Sequence, residues 1–190
     1  MSIDLLATVQ QELGYPELQK IDPNTQKVVA DTKTPEEDKF SQAAIPAILT
    51  GFYKYVQTDE GASSFLEDGT SSNWMSKLFD NNKKEVVQTI ASYAKQSNED
   101  PLAKMNEIAN VVVRVVKENL PKEATIKEVK TFFGDQKNNI LLYLPADLNI
   151  GGLLHDDTLD DATHKMEGPI SGLMQSLGAA FTNPVEENKN

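Results

Sequence analysis

The sequence contains no cysteine. Disulfides, thiolate nucleophiles and cysteine-based zinc sites are excluded by that absence alone, which also fits a reducing compartment. Aromatic residues are sparse at 7%, so a core must rest on aliphatic side chains. Cations are the minority charge: 18 Lys and Arg stand against 29 Asp and Glu, a net charge of -11. Phosphate binding needs clustered Lys and Arg, so nucleic acid is not an expected partner. An anionic membrane surface is disfavoured on the same ground, and the charge is read first as a source of solubility. No stretch approaches the roughly 18 apolar residues of a spanning helix, so no membrane span is expected. The opening MSIDLLATVQQELGY carries Asp4 and Glu12 and lacks a basic start before an apolar run, which is not a signal-peptide pattern. The expected location is the cytoplasm. Histidine is almost absent too, and His155 and His164 lie too close in sequence to imply a triad. There is no Gly-x-Ser-x-Gly elbow, no Gly-x-x-x-x-Gly-Lys loop and no dinucleotide fingerprint.

What remains is helical patterning. Thr34-Pro35-Glu36-Glu37 reads as a cap, a first-turn proline and a capping-box acid. Behind it Phe40, Ala44, Ala47, Gly51 and Tyr55 recur at helical spacing, with Ile45, Ile48, Leu49, Phe52 and Val56 in a neighbouring stripe. A helix apolar over so much of its circumference is expected to be central and buried, with Pro46 kinking or splitting it. A short amphipathic helix (Ile3, Leu5, Leu6, Val9, Leu13) and a polar link from Asp22 to Thr34 precede it. After it, Thr58 starts a short helix carrying Ala62, Phe65 and Leu66, and Trp74, Leu78 and Phe79 mark another. Residues 83–96 form a third, with Val86, Val87, Ile90, Ala91 and Ala94 in one stripe.

Asp100-Pro101 caps a longer helix through Met105, Ile108, Ala109, Val112, Val116 and Leu120. The β-branched run from Val111 to Val116 also suits a strand, but the helical period extends beyond it. Thr125 and Glu128 form a second capping box. Gly134 is expected to stop that helix, and residues 135–144 to form another ended by Pro145. Leu120-Pro121 and Leu144-Pro145 close the last two helix pairs, a loose helix–turn–helix repeat. The expected architecture is all-α, a compact array of about eight to ten short helices counted from capped periodic segments. It divides into a helical domain over 1–167 and an amphipathic, Gly-rich C-terminal helix with a frayed tail over 168–190.

Residues 40–68 read FSQAAIPAILTGFYKYVQTDEGASSFLED. This segment resembles the YidB-like family of small bacterial proteins of unknown function. The resemblance lies in Pro46-Ala47-Ile48-Leu49 with Gly51, and in Thr58 with Glu60-Gly61-Ala62. KMEGPISGLMQSLGAAF is similar to the Gly-rich tail of longer relatives. The resemblance covers about half the chain, and the link from Asp22 to Thr34 is longer and more polar than the family's tight turn. It implies an all-helical, bacterial, cytoplasmic protein with no catalytic residues.

One segment invites chemistry: LLHDDTLDDATHKMEG, residues 153–168. It resembles the first aspartate-rich motif of polyprenyl diphosphate synthases, in which Asp156 and Asp160 at i, i+4 would hold Mg²⁺ on a diphosphate. The basic pair that should follow is replaced by Lys165-Met166-Glu167, and no second such motif exists. A transition-metal reading uses Asp157, Asp161 and His164 on one helix face, with His155 joining from the preceding loop. Helix-end physics accounts for the same residues: Thr158 and Asp161 as a capping pair, Asp160 in the first turn, His164 and Lys165 in the last, Gly168 as the stop and Pro169 opening the next helix. That reading is preferred, so no metal and no cofactor is expected. Ile170, Leu173, Met174, Leu177 and Phe181 then form one stripe of a final helix. The expected function is non-enzymatic, through a protein partner or self-association. The alternative is metal or diphosphate binding centred on 155–164.

Overall fold

The computed structural model describes residues 3–21, 36–70, 72–95 and 100–156. Eight α-helices run in chain order: α1 (Leu5–Glu12), α2 (Glu36–Tyr55), α3 (Asp59–Glu67), α4 (Trp74–Phe79), α5 (Lys83–Ala94), α6 (Pro101–Asn119), α7 (Ile126–Leu141) and α8 (Ile150–Leu153). The last is a single four-residue turn. Two 3-10 turns, Asp80–Asn82 and Ala146–Leu148, complete the set, and no strand occurs among the described residues. The expected all-α class is what is found. Seven helices exceed one turn, slightly fewer than the eight to ten anticipated. The two helices expected beyond residue 156, and with them the 168–190 segment, lie outside the described residues, as do Thr34 and Pro35.

Helix starts follow local chemistry. Asp4 accepts from the Ala7 N–H at 3.0 Å, Thr58 from Gly61 at 3.0 Å and Asn73 from Ser76 at 3.3 Å. Asp100 accepts from both Leu102 and Ala103 ahead of Pro101. Thr125 and Glu128 close the reciprocal box: Glu128 Oε2 accepts from the Thr125 N–H at 2.7 Å, and Thr125 Oγ1 from the Glu128 N–H at 3.3 Å. Each satisfies amides that a helix start leaves without intrahelical partners.

Helix α2 is the axis of the molecule. Every residue from Phe40 to Phe52 is buried, and α2 packs against α1, α4, α5, α6 and α7. Pro46 does not split it: Glu36–Tyr55 is one element. An interior proline costs about 3 kcal/mol, but burying Ile48, Leu49 and Phe52 is worth roughly 1.5–3 kcal/mol apiece, so continuity wins. The Thr50 hydroxyl, also buried, donates to Pro46 O at 2.7 Å. Phe52 lies in an aromatic cluster with Phe65, Trp74 and Phe133, at centroid distances of 5.9, 5.3 and 6.0 Å. One aromatic each from α3, α4 and α7 thus meets α2 in the core.

Gly134 does not stop its helix, contrary to expectation. Helix α7 runs unbroken from Ile126 to Leu141. Val129, Phe133, Gln136 and Ile140 are buried along one continuous face, and that face carries the helix past a glycine costing only about 1 kcal/mol. The helix also ends before Leu144, with Leu144 itself buried.

Candidate functional site

Among the described residues, a dense polar cluster joins α3 to α4. Ser64 and Asp68 are four apart, so they share one side of the end of α3. Helix α4 brings Lys77 against them. Ser64 Oγ donates to Asp68 Oδ2 at 2.7 Å and accepts from Lys77 Nζ at 3.1 Å and from Tyr55 Oη at 2.9 Å. Lys77 also pairs with Asp68, and Ser72 Oγ donates to Asp68 Oδ1 at 3.3 Å. The Trp74 indole donates to Gly69 O at 3.1 Å, and Lys77 Nζ stands 5.4 Å from that ring's centroid. From α6, Lys117 donates to Leu66 O at 3.0 Å and to Asp68 O. A cation there opposes the negative end of the α3 dipole.

A serine beside a lysine suggests a nucleophile and base, but the protons are in the wrong places. The hydrogen bond from Lys77, with that from Ser64, holds Asp68 below its ordinary carboxylate value, which makes it a poorer base. The hydrogen bond to Asp68 raises Lys77, which keeps it an ammonium. A dyad lysine must be neutral to take the hydroxyl proton. Burial lowers the pKa of Lys117, but both its hydrogen bonds named above go to main-chain carbonyls and neither reaches Ser64. The cluster locks the α3–α4 turn in place.

A second built arrangement holds the N-terminal segment. Gln136, buried on α7, accepts from the Leu5 N–H at 3.1 Å and donates to Ile3 O at 3.0 Å. Gln42, buried on α2, accepts from the Gln19 N–H at 2.7 Å and donates to Gln19 O at 2.9 Å and Tyr143 O at 3.0 Å. The Ile21 N–H donates to Leu142 O at 2.8 Å. Residues 15–21 therefore cross between α2 and the turn after α7, with Leu18 and Ile21 buried.

Open grooves mark the surface of the described residues, two of them along α6 and α5. One, of about 510 Å³, runs along α6 past Ala103, Asn106, Glu107, Asn110 and Arg114. The other, of about 440 Å³, lies between α5 and the 3-10 turn at Asp147. There Tyr93 has its pKa raised by burial and by Asp147.

Of the sequence-predicted ligands, His155 and Asp156 are described. His155 is exposed, with φ of 55°. Asp157, Asp161 and His164 lie outside the described residues, as does Asp160. Asp156 forms an ion pair with Lys54 at 2.7 Å, which ties the end of α8 to the last turn of α2. Asn82 Nδ2 adds a bond to Leu153 O at 2.7 Å. Among the described residues no group of three or more His, Asp or Glu is placed to hold a metal, and no helix is long and apolar enough to cross a membrane.

The buried glutamines and the Ser64 cluster escaped sequence reasoning. One signal was available for Gln42: an amide embedded in the apolar run FSQAAIPAIL must find partners when its helix is buried. No protein-family model, no curated protein and no solved structure matches the chain.

Proposed function

We propose that this chain is a non-enzymatic helical protein that acts through contact with a protein partner or with a second copy of itself. The observation that carries the reading is the Ser64–Asp68–Lys77 cluster: the best-formed set of reactive groups is spent on holding two helices together. The open grooves along α6 and α5 add support, since small-molecule sites are concave and bury most of their ligand. A YidB-like relationship and a bacterial, cytoplasmic setting belong to the same reading, as does docking by the stripe from Ile170 to Phe181.

Sedimentation velocity over a wide concentration range, with cross-linking and mass spectrometry in cell extract, tests it. A concentration-dependent dimer, or a partner cross-linked reproducibly to the α6 or α5 face, is the expected result. A chain that stays monomeric when concentrated and cross-links to nothing would end the proposal.

A further inference from the structure

Asp68–Gly69 is the one Asp-Gly or Asn-Gly pair in the sequence. Such a pair carries a reaction within it. The Gly69 amide nitrogen can attack the Asp68 side-chain carbon Cγ, because glycine has no Cβ to obstruct the approach. A Cγ–N bond forms, a Cγ–O bond breaks, and the amide proton leaves with the acid's hydroxyl as water. Water then reopens the five-membered succinimide. Attack at Cγ restores aspartate. Attack at the main-chain carbonyl carbon leaves the backbone running through Cγ, as isoaspartate. The chain regains the water it lost, so its mass is unchanged and no oxidant or reductant is needed.

The fold works against both requirements of the first step. The leaving oxygen must be a protonated hydroxyl, and the Asp68 Cα–C bond must turn until Cβ and the Gly69 nitrogen eclipse. The carboxylate is held at both oxygens: Ser64 Oγ donates to Oδ2 at 2.7 Å, Lys77 pairs with the same oxygen, and Ser72 Oγ donates to Oδ1 at 3.3 Å. The hydrogen bonds from Lys77 and then Ser64 keep Asp68 below its ordinary carboxylate value, hence ionised. The backbone is held as well. Asp68 stands at ψ of 147°, away from the eclipsed arrangement. Lys117 Nζ donates to its carbonyl, and Gly69 O accepts from the Trp74 indole at 3.1 Å and from the Ser72 N–H at 3.3 Å. Turning the Cα–C bond would swing the Asp68 carbonyl away from Lys117.

We propose that Asp68–Gly69 is a latent site of isoaspartate formation, kept inert by the contacts of Ser64, Lys77 and Ser72 with its carboxylate. Gly69 is exposed, so the water that the second step consumes has access. The reaction also removes its own restraint. In isoaspartate the former side-chain carboxyl is an amide, so Lys77 loses its counter-ion, and the backbone of the α3–α4 turn gains a methylene. Once formed, the modification loosens the contact that suppressed it. None of these steps depends on a protein partner.

The test ages the full chain at neutral pH and physiological temperature, then digests it with trypsin. Isoaspartate at position 68 is read by chromatography and fragmentation mass spectrometry of the peptide spanning residues 55–77. The same peptide, synthesised and aged free, supplies the unrestrained rate. It should isomerise at least about tenfold faster than the folded chain, where reaction waits on local opening. Lys77→Met keeps the apolar stem and removes the charge; it should raise the rate in the full chain at least about threefold over the parent. Adding Gly69→Ala, whose Cβ meets nothing within 4 Å, should suppress the product again. Ile90→Val trims a buried side chain on α5 and should leave the rate at the parent's value, which separates loss of the local contacts from loss of overall stability. If Lys77→Met fails to fold by circular dichroism, Ser72→Ala removes the contact at Oδ1 alone and should raise the rate in its place. A parent chain that isomerises as fast as the free peptide overturns the proposal. So does a folded Lys77→Met or Ser72→Ala chain no faster than the parent, or an equal acceleration by Ile90→Val.

Discussion

Replacing Gly61 by alanine should destabilise the fold, while the same replacement at Gly134 should stabilise it. Both glycines lie inside helices, where alanine has the higher propensity by about 1 kcal/mol. At Gly134 an added Cβ meets nothing within 4 Å, so a gain of roughly 0.5–1 kcal/mol is expected. At Gly61 the same atom would stand 2.0 Å from Tyr55 O and 2.9 Å from Thr58 Oγ1. The first is backbone at the end of the central helix. The second is the hydroxyl that caps α3. Relief requires the α2–α3 turn to open by more than an ångström or the cap to break. Overpacking of this kind costs about 1–3 kcal/mol, and losing the cap adds about 1. The net expectation is a loss of roughly 1–3 kcal/mol after the propensity gain. In urea, with a slope of about 2 kcal/mol/M, the midpoint should fall by around 0.5–1.5 M for Gly61→Ala and rise by a few tenths for Gly134→Ala. Equal shifts in one direction would refute the argument, because they would mean that the turn geometry at Thr58 exerts no steric demand.

Other outcomes follow from the same contacts. Asp68 is held below its ordinary carboxylate value, so its folded pKa lies under its unfolded one. Its contribution is present above the unfolded value and disappears as pH falls through the folded one, below about pH 4. Asp68→Asn should flatten that acid limb of a stability-against-pH curve, and an unchanged limb would disprove the link. Gln136→Leu should strand the Leu5 N–H, destabilise by about 1–3 kcal/mol and raise hydrogen exchange in α1 before α6. Exchange unchanged in α1 would show that Gln136 is no anchor. Titration calorimetry with Zn²⁺, Mn²⁺ and Mg²⁺ should give no micromolar binding; such binding abolished by His164→Ala would restore the metal reading of the aspartate-rich segment.

Where the sequence predicted structure well, one short-range rule was enough. Thr125 with Glu128, Asp100 with Pro101 and Thr58 before Gly61 are caps readable within four residues, and the structure bears out all three. The stripe through Met105, Ile108, Ala109, Val112 and Val116 is buried as its period requires. Local rules failed where tertiary packing outweighed a residue preference. Pro46 and Gly134 are breakers by propensity, yet each sits in a helix whose buried face continues on both sides. Contacts between distant segments were the least legible. Gln42 selects Gln19 and Tyr143, and Gln136 selects Ile3 and Leu5, through pairings that no periodicity encodes. Asp156 reads as a metal ligand in isolation, and only the fold brings Lys54 to it.

The anchoring of α1 by Gln136 also imposes an order on biosynthesis. Leu5 and its partner are separated by 131 positions. A ribosome adding roughly 5–20 residues per second makes Leu5 about 7–26 seconds before Gln136 exists. Throughout that interval Leu5, Leu6 and Val9, all buried in the finished molecule, lack the α7 contacts that fix them. The apolar face of α1 is thus exposed on the nascent polypeptide for that whole interval, where a chaperone could meet it.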